Sequence, residues 1–244
     1  MKKKRTIKKK KRSYKRKQKG GTKYTAIIIE PRKHKALSYV LKNFLENLDN
    51  SWSIIVFHGN LNKEYIQNII NNLPEYKDRI SLISLDTDNF DKSGYVKLLG
   101  TKEFYTKIPT ETFLIFQVDT MINPRNKENI NKFLEYDYVG APWAWGGVGN
   151  GGLSLRKKSK MLEILDKIPD DGTENGYYSG HKLKNTNGVI MNKPSDAEAQ
   201  LFASETIWNP QSFGIHQAWT HTDVNKIKET FPEIQQLIDL QTIE

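Results

Sequence analysis

The sequence predicts an α/β fold: a mostly parallel central sheet with helices on both faces, preceded by a disordered basic tail. Three observations carry this. Short β-branched runs alternate with stretches of helical spacing from residue 24 to residue 116, the pattern of strands joined by crossover helices. One run, Phe113-Leu-Ile-Phe116, is apolar at four consecutive positions and needs both faces covered. Of the 38 Lys and Arg residues, 14 fall within residues 1–24, which contain no acid.

The formal charge of +10 therefore belongs to one end, and the remainder carries 24 basic against 28 acidic residues, a net charge of −4. Residues 1–24, a like-charge block with Gly20-Gly21 near its end, are too poor in apolar surface to fold. Residues 25–244 are read as one domain. The tail reads either as a solvating or targeting segment or as a ligand for nucleic acid or another anionic surface, which a Lys/Arg run attracts through counterion release. Only Tyr14 and Tyr24 interrupt it with aromatics, a poor platform for stacking single strands. With no cysteine, disulfides, Cys-based metal sites and thiol nucleophiles are excluded. No apolar h-region follows the basic residues, and no apolar run approaches the roughly 20 residues of a transmembrane helix. The expectation is a soluble intracellular protein, cytoplasmic or nuclear.

In chain order, Tyr24–Ile29 reads as a strand stopped by Glu30-Pro31. Positions 34–48 have helical spacing, with apolar residues at Leu37, Tyr39, Val40, Leu41, Phe44, Leu45 and Leu48. Ser53–Phe57 is a second strand, stopped by His58-Gly59-Asn60, and Lys63–Leu73 a second helix. Ile80–Leu85, Tyr95–Phe104 and Phe113–Phe116 continue as strand, helix and strand. The right-handed crossover and the rule that sites gather at strand carboxyl ends place the loops at Glu30, His58 and Asp119 on one edge of the sheet. Beyond Asp119 the spacing predicts a helix over 127–133, a short strand at 138–140, and a glycine turn opening onto a helix over 156–165. The Gly/Asn/Asp-rich stretch 169–192 reads as a mobile loop region. Positions 197–205 read as helical, and Thr222 as the N-cap of one closing helix that runs to Leu240.

Five groups of residues point to chemistry. Asp119 sits just past the buried fourth strand, where a hard cation such as Mg2+ or Mn2+ would complete its shell with phosphate oxygens and water; a turn-forming Asp is the competing reading. The run Gly146-Gly-Val-Gly-Asn-Gly-Gly152 has five glycines in seven positions. Such a loop can present amide donors to a ligand or serve merely as a linker, and it fits neither a dinucleotide fingerprint nor a P-loop. Trp143 and Trp145 offer indoles that pack on sugar C–H faces or anchor an ordinary core. His216, within Phe213–Trp219, could ligate a metal, donate to a phosphate, or be structural. Asp170, Asp171 and Glu174 are carboxylates in the loop region, either solvated or supplying a base for group transfer to a hydroxyl.

The order of these segments resembles the glycosyltransferase-like DUF5672 family, found in bacteria, large DNA viruses and some eukaryotes. The matching blocks are Ile29–Arg32, Trp52–Gly59, Tyr95–Tyr105, Leu114–Thr120, Phe133–Trp143, Val148–Arg156, Ala199–Glu205 and Phe213–Trp219. The resemblance implies a GT-A-like nucleotide-diphospho-sugar transferase fold with Mn2+ or Mg2+ as cofactor. The Asp-x-Asp motif of such enzymes falls on Gln117-Val118-Asp119, so Gln117 can reach a ribose hydroxyl but adds no charge, and Asp119 is the implied metal ligand. Asn150, Gly151 and Gly152 match the segment lining donor and acceptor, with Trp143, Trp145 and Trp219 beside the sugars. His216 matches the C-terminal histidine that completes the metal or diphosphate site, while Glu30 and Arg32 face the nucleotide. The family's Glu-Asp pair appears as Glu174-Asn175, leaving Glu174 as the implied base.

The expected function is thus metal-dependent transfer of a sugar from a nucleotide-diphospho-sugar donor to a hydroxyl acceptor on a glycan, protein or other molecule. Two other readings stand beside it. Gln117 and Asn175 suit a catalytically inactive relative that binds a nucleotide sugar or glycan. The tail suits a nucleic-acid-associated protein acting through residues 1–24.

Overall fold

The computed structural model describes residues 22–168, 174–179 and 187–241, without the side chains of 174–176. The expectations for residues 1–21 of the basic tail and for Asp170 and Asp171 fall outside these residues, whereas Tyr24, at the tail's end, begins the first strand.

Four parallel strands come first: β1 (Tyr24–Glu30), β2 (Trp52–His58), β3 (Ile80–Ser84) and β4 (Thr112–Phe116). Two more, β6 (Tyr138–Gly140) and β7 (Leu153–Lys157), complete a six-stranded sheet of order β3-β2-β1-β4-β7-β6. The sheet is mixed: β7 runs antiparallel to both β4 and β6. A second sheet, order β5-β9-β8, is made of three very short strands: β5 (Thr120–Ile122), β8 (Ala203–Ser204) and β9 (Gly214–His216).

The helices cover both faces because successive strand residues point to opposite sides. Ala26, Ile28, Ile54, Val56, Leu114 and Phe116 form one cluster with α1 (Leu37–Asn47), α2 (Lys63–Asn71) and the C-terminal helices α8 (Val224–Thr230) and α9 (Ile234–Gln241). Phe44 of α1 stacks on Phe116 with centroids 3.9 Å apart. The alternate residues Ile27, Ile29, Ile55, Phe57, Phe113 and Ile115 form the other cluster. Its helices are α3 (Lys92–Leu99), α4 (Lys102–Thr106), α5 (Lys158–Lys167) and α6 (Glu174–Ser179).

Several elements differ from expectation, each for a local reason. The glycine turn opens onto strand β7, not a helix. Leu153 and Leu155 alternate with Ser154 and Arg156, a period of two, and the helix begins only at Lys158. The helix expected over 95–104 is two, split at Gly100-Thr101, where the Thr101 hydroxyl caps α4 by accepting from Phe104 N at 3.3 Å. The closing helix is also two. Pro232 cannot donate an amide and its ring blocks the preceding turn, while Asp223 rather than Thr222 is the N-cap, accepting from Asn225 N at 2.9 Å. Residues 127–132 lie within a 3-10 helix, Pro124–Lys132, and Phe133 is its C-cap. Positions 197–205 form only the short helix α7 (Asp196–Ala199), fixed by a Ser195/Glu198 capping box, followed by β8. The 169–192 stretch contains α6, held by its buried tyrosines: Tyr177 donates to Ile168 O (2.7 Å) and Tyr178 to Leu99 O (2.6 Å). Among the described residues, no helix is long and apolar enough to cross a membrane.

Candidate functional site

A cavity of about 550 Å3 opens at the carboxyl edge of the large sheet, within the roughly 300–1,000 Å3 typical of small-molecule sites. Its walls come from the loop after β1 (Glu30, Pro31, Arg32), the start of α3 (Asp91, Lys92, Tyr95), the segment after β4 (Gln117–Asp119), the glycine turn (Asn150, Gly152) and the small sheet (Glu205, His216, Gln217).

The β1 loop is fixed by packing that admits no side chain at Gly59. A Cβ there would lie 2.7 Å from Pro31 O and 2.8 Å from Thr87 O. Asn62 clamps the same loop, donating to Glu30 O (2.7 Å) and Arg32 O (2.8 Å) and accepting from Gly59 N (2.9 Å). Glu30 is 3% exposed. Its carboxylate takes a two-pronged bond from Arg32, Nε to Oε1 and Nη2 to Oε2, both 2.8 Å, and Oε1 also accepts from Arg32 N at 2.9 Å. The bond to Glu30 raises the Arg32 guanidinium above its ordinary pKa, against the lowering effect of burial. His58, expected on this edge, is buried with Nδ1 2.8 Å from Gly59 O and does not line the cavity.

The small sheet supplies the other wall. Asn43 of α1 bonds both backbone groups of Ile122, at 2.7 and 3.1 Å, and so fixes β5. Gln241 Nε2 donates to Val118 O at 2.7 Å and pins the preceding loop. β5 pairs antiparallel with β9 in the register Thr120↔His216. This puts His216 Nε2 3.5 Å from Asp119 Oδ1, and its Nδ1 3.3 Å from Glu205 Oε1. Gln217 follows with φ +48°, in the left-handed region. Its amide nitrogen donates to Asp119 O at 3.2 Å, and its side chain donates to Asp119 Oδ2. A non-glycine residue in this region is uncommon and gathers at functional sites.

The glycine turn contributes by closeness. A Cβ on Gly152 would lie 2.3 Å from His216 Nε2 and 2.5 Å from Cε1, so only glycine lets this strand start pass the ring. A Cβ on Gly140 would lie 1.9 Å from Asn150 O. Asn150 is buried and accepts from Gly152 N at 3.0 Å through Oδ1.

Of the residues expected from sequence, Glu30, Arg32, Gln117, Asp119, Asn150, Gly152 and His216 line this one cavity. Gly151 does not; its carbonyl accepts from Ser154 Oγ at 2.9 Å. The tryptophans are not among the lining residues either. Trp143 packs beneath Gly149, Trp145 is 72% exposed and stacks on Trp143 at 5.9 Å, and Trp219 packs on the core. Glu174 begins α6, but its side chain lies outside the described residues. Sequence reading missed Glu205, Gln217 and the start of α3. Neither Glu205 nor Gln217 carried a positional signal, since the strands before them have only two and three residues.

Among the described residues no group of three or more His, Cys, Asp or Glu side chains is arranged to hold a metal ion. The donors nevertheless fit a cation bound jointly with a ligand. Asp119 Oδ1 and Glu205 Oε2 are buried and accept no hydrogen bond from the described residues. Mg2+-like ions use one or two carboxylates plus substrate phosphates rather than an all-protein cage, and imidazole suits the transition metals.

The fold is that of nucleotide-sugar glycosyltransferases. The mannosyltransferase PcManGT of Pyrobaculum calidifontis, solved with GDP-Man and Mn2+, superposes with a TM-score of 0.52 at 12% identity, over 71% of this chain and 55% of that one. The apo-form glycosyltransferase GlyE of Streptococcus pneumoniae TIGR4 gives 0.51 at 11% identity, over 91% and 61%. This chain thus spans about three fifths or less of either protein. The family described as "Protein of unknown function (DUF5672)" matches residues 79–216, more than half of the sequence, and the chain belongs to that family. No curated protein matches it in sequence.

Proposed function

We propose that this protein is a divalent-cation-assisted glycosyltransferase that moves a sugar from a nucleotide-diphospho-sugar to a hydroxyl acceptor. The observation that carries this reading is the convergence of Asp119, His216 and Glu205 beside Arg32 and Lys92 on one cavity at the carboxyl edge of the sheet. An open α/β sheet binds its ligand at that edge, and this edge offers both signs of charge.

Asp119 and His216 would hold the cation, which when bound offsets the charge that develops on a departing diphosphate. Arg32 has its guanidinium tied along one edge to Glu30, leaving its other face as a preoriented partner for a phosphate. Lys92 lines the cavity as a second point charge. Gln217 donates to the Asp119 oxygen remote from His216, so the carboxylate keeps its orientation before the donor arrives. Gln117 is placed to hydrogen-bond a ribose hydroxyl. Glu174 is assigned as the base by family resemblance, and Trp145, exposed and backed by Trp143, is the surface for an acceptor sugar.

The departure at Gln117 favours a second reading, an inactive relative that binds a nucleotide sugar without transferring it. Thermal-shift screening of the full chain against nucleotide sugars, with and without Mn2+, tests the shared premise. Cation-dependent stabilisation followed by release of nucleoside diphosphate supports the enzyme. Stabilisation without release supports the inactive relative, and no stabilisation by any nucleotide sugar sinks both.

A further inference from the structure

Resting on the reading of this cavity as a cation–diphosphate site, we infer that Glu205 is a positioning residue. Its carboxylate claims the Nδ1 proton of His216 and turns the lone pair of Nε2 toward Asp119 and a shared divalent cation.

The placement follows from two registers. β8 runs parallel to β9 with Ser204 opposite Ile215, so Glu205 falls beside His216. β5 runs antiparallel to β9 with Thr120 opposite His216, so Asp119 falls on the ring's other side. The imidazole therefore lies between two carboxylates, with Nδ1 3.3 Å from Glu205 Oε1 and Nε2 3.5 Å from Asp119 Oδ1. All three side chains are largely buried, with exposures of 8% for His216, 13% for Glu205 and 14% for Asp119. Gly152 backs the ring so closely that a methyl group there would touch three of its atoms, at 2.3, 2.5 and 2.7 Å.

A neutral imidazole has one N–H and one lone pair, so it satisfies one carboxylate and opposes the other. The surroundings decide which. Asp119 already accepts from the Gln217 amide through Oδ2. Glu205 Oε2 accepts no hydrogen bond from the described residues, and the nearer ring nitrogen is the one facing Glu205. The proton goes to Nδ1. The Nε2 lone pair then faces Asp119 Oδ1, which accepts no hydrogen bond from the described residues, and a cation between them would be shared by both. Metal-bound histidines are commonly oriented this way, by a carboxylate on the other ring nitrogen. Glu205 thus supplies, from outside the coordination sphere, negative charge that Gln117 does not supply from within it.

The test has two readouts on the full chain. The first is the two-bond 15N–1H spectrum of His216, recorded well above the imidazole titration range and assigned with His216→Gln. The second is Mn2+ binding by electron paramagnetic resonance, with GDP and UDP as probes. The expected wild-type ring carries its proton on Nδ1. Glu205→Met, which keeps the length but offers no acceptor, mixes the tautomers and weakens Mn2+ binding about 10–100-fold. Glu205→Gln, whose amide oxygen still accepts, retains the tautomer and most of the affinity. A wild-type ring protonated on Nε2 overturns the inference, as does a Glu205→Met protein with unchanged tautomer and affinity. If Glu205→Met does not fold, the wild-type spectrum decides alone. Failure of the wild type to bind Mn2+ with either nucleotide overturns the donor-site reading, and the ring spectrum then still decides for or against Glu205.

Discussion

Thr120 pairs with His216 across the β5–β9 ladder, and that single register sets the His216 imidazole against the carboxylate of Asp119, 3.5 Å away. The two residues belong to segments far apart in sequence and meet through this ladder, while Asn43 and Gln241 pin the segment after β4 from two sides. A site assembled by so short a ladder depends on backbone placement as much as on the chemistry of its side chains.

Asp119→Ala is therefore expected to abolish cation-dependent stabilisation by a nucleotide sugar while the fold persists. At a ligand concentration of about 100 Kd the wild type gains about 2.7 kcal/mol, and the variant should gain almost none. Paired melting curves with and without Mn2+ check this. A variant that keeps the full cation-dependent shift removes Asp119 from the site.

Gly152→Ala tests whether closeness to the ring matters. The added methyl meets His216 at 2.3 Å, so ring or strand must move. Overpacking of this kind costs about 1–3 kcal/mol, readable by urea unfolding. Mn2+ binding should weaken together with stability. Loss of stability with unchanged Mn2+ affinity would mean that the ring position is not what the cation uses.

The centre of the large sheet was legible because β1, β2 and β4 bury both faces and their helices carry long apolar stripes. Phe113–Phe116 and the β-branched run of β1 needed no knowledge of neighbours. The β7 error shows the limit: Leu153-Ser-Leu-Arg156 is too short to separate a strand from the first turn of a helix, and only pairing to β4 and β6 decides it. The same limit hid Glu205 and Gln217. β8 has two residues and β9 three, far too few for a periodic signal, and the left-handed backbone at Gln217 has no glycine to announce it. Asp119 and His216 were readable as residue types in a recognisable order, but the contact between them is a property of the ladder.

The Glu30–Arg32 pair yields an asymmetric prediction. Glu30 is buried, whereas the Arg32 side chain is 56% exposed. Arg32→Ala strips Oε2 of its donor and leaves a buried carboxylate with a single backbone bond. A loss of about 1–3 kcal/mol is expected, with part of it returned by adding Glu30→Met, which removes the stranded charge. Chemical unfolding of the wild type, the single variant and the double variant forms the check. A double variant less stable than Arg32→Ala would show that Glu30 is held by more than its arginine.

His34, in the same loop, gives the site's surroundings a pH dependence whose sign can be worked out. Its Nδ1 accepts from Ala36 N at 3.1 Å, a bond that requires an unprotonated Nδ1. Burial lowers its pKa, more than the neighbouring Glu30 and Asp119 carboxylates raise it, and Arg32 lowers it further. The folded state thus binds the His34 proton less readily than the unfolded chain does. The stability this contributes is present above the ordinary imidazole value of about 6.5 and is lost as pH falls below it toward the depressed folded value. His34→Asn keeps a side-chain acceptor for Ala36 N and does not titrate. Unfolding free energies of the two proteins should therefore run parallel above neutrality and diverge below about pH 6.5, with the wild type falling faster. Curves that stay parallel through that range would show that the loop tolerates the imidazolium, and that the Ala36 bond does not govern the local protonation equilibrium.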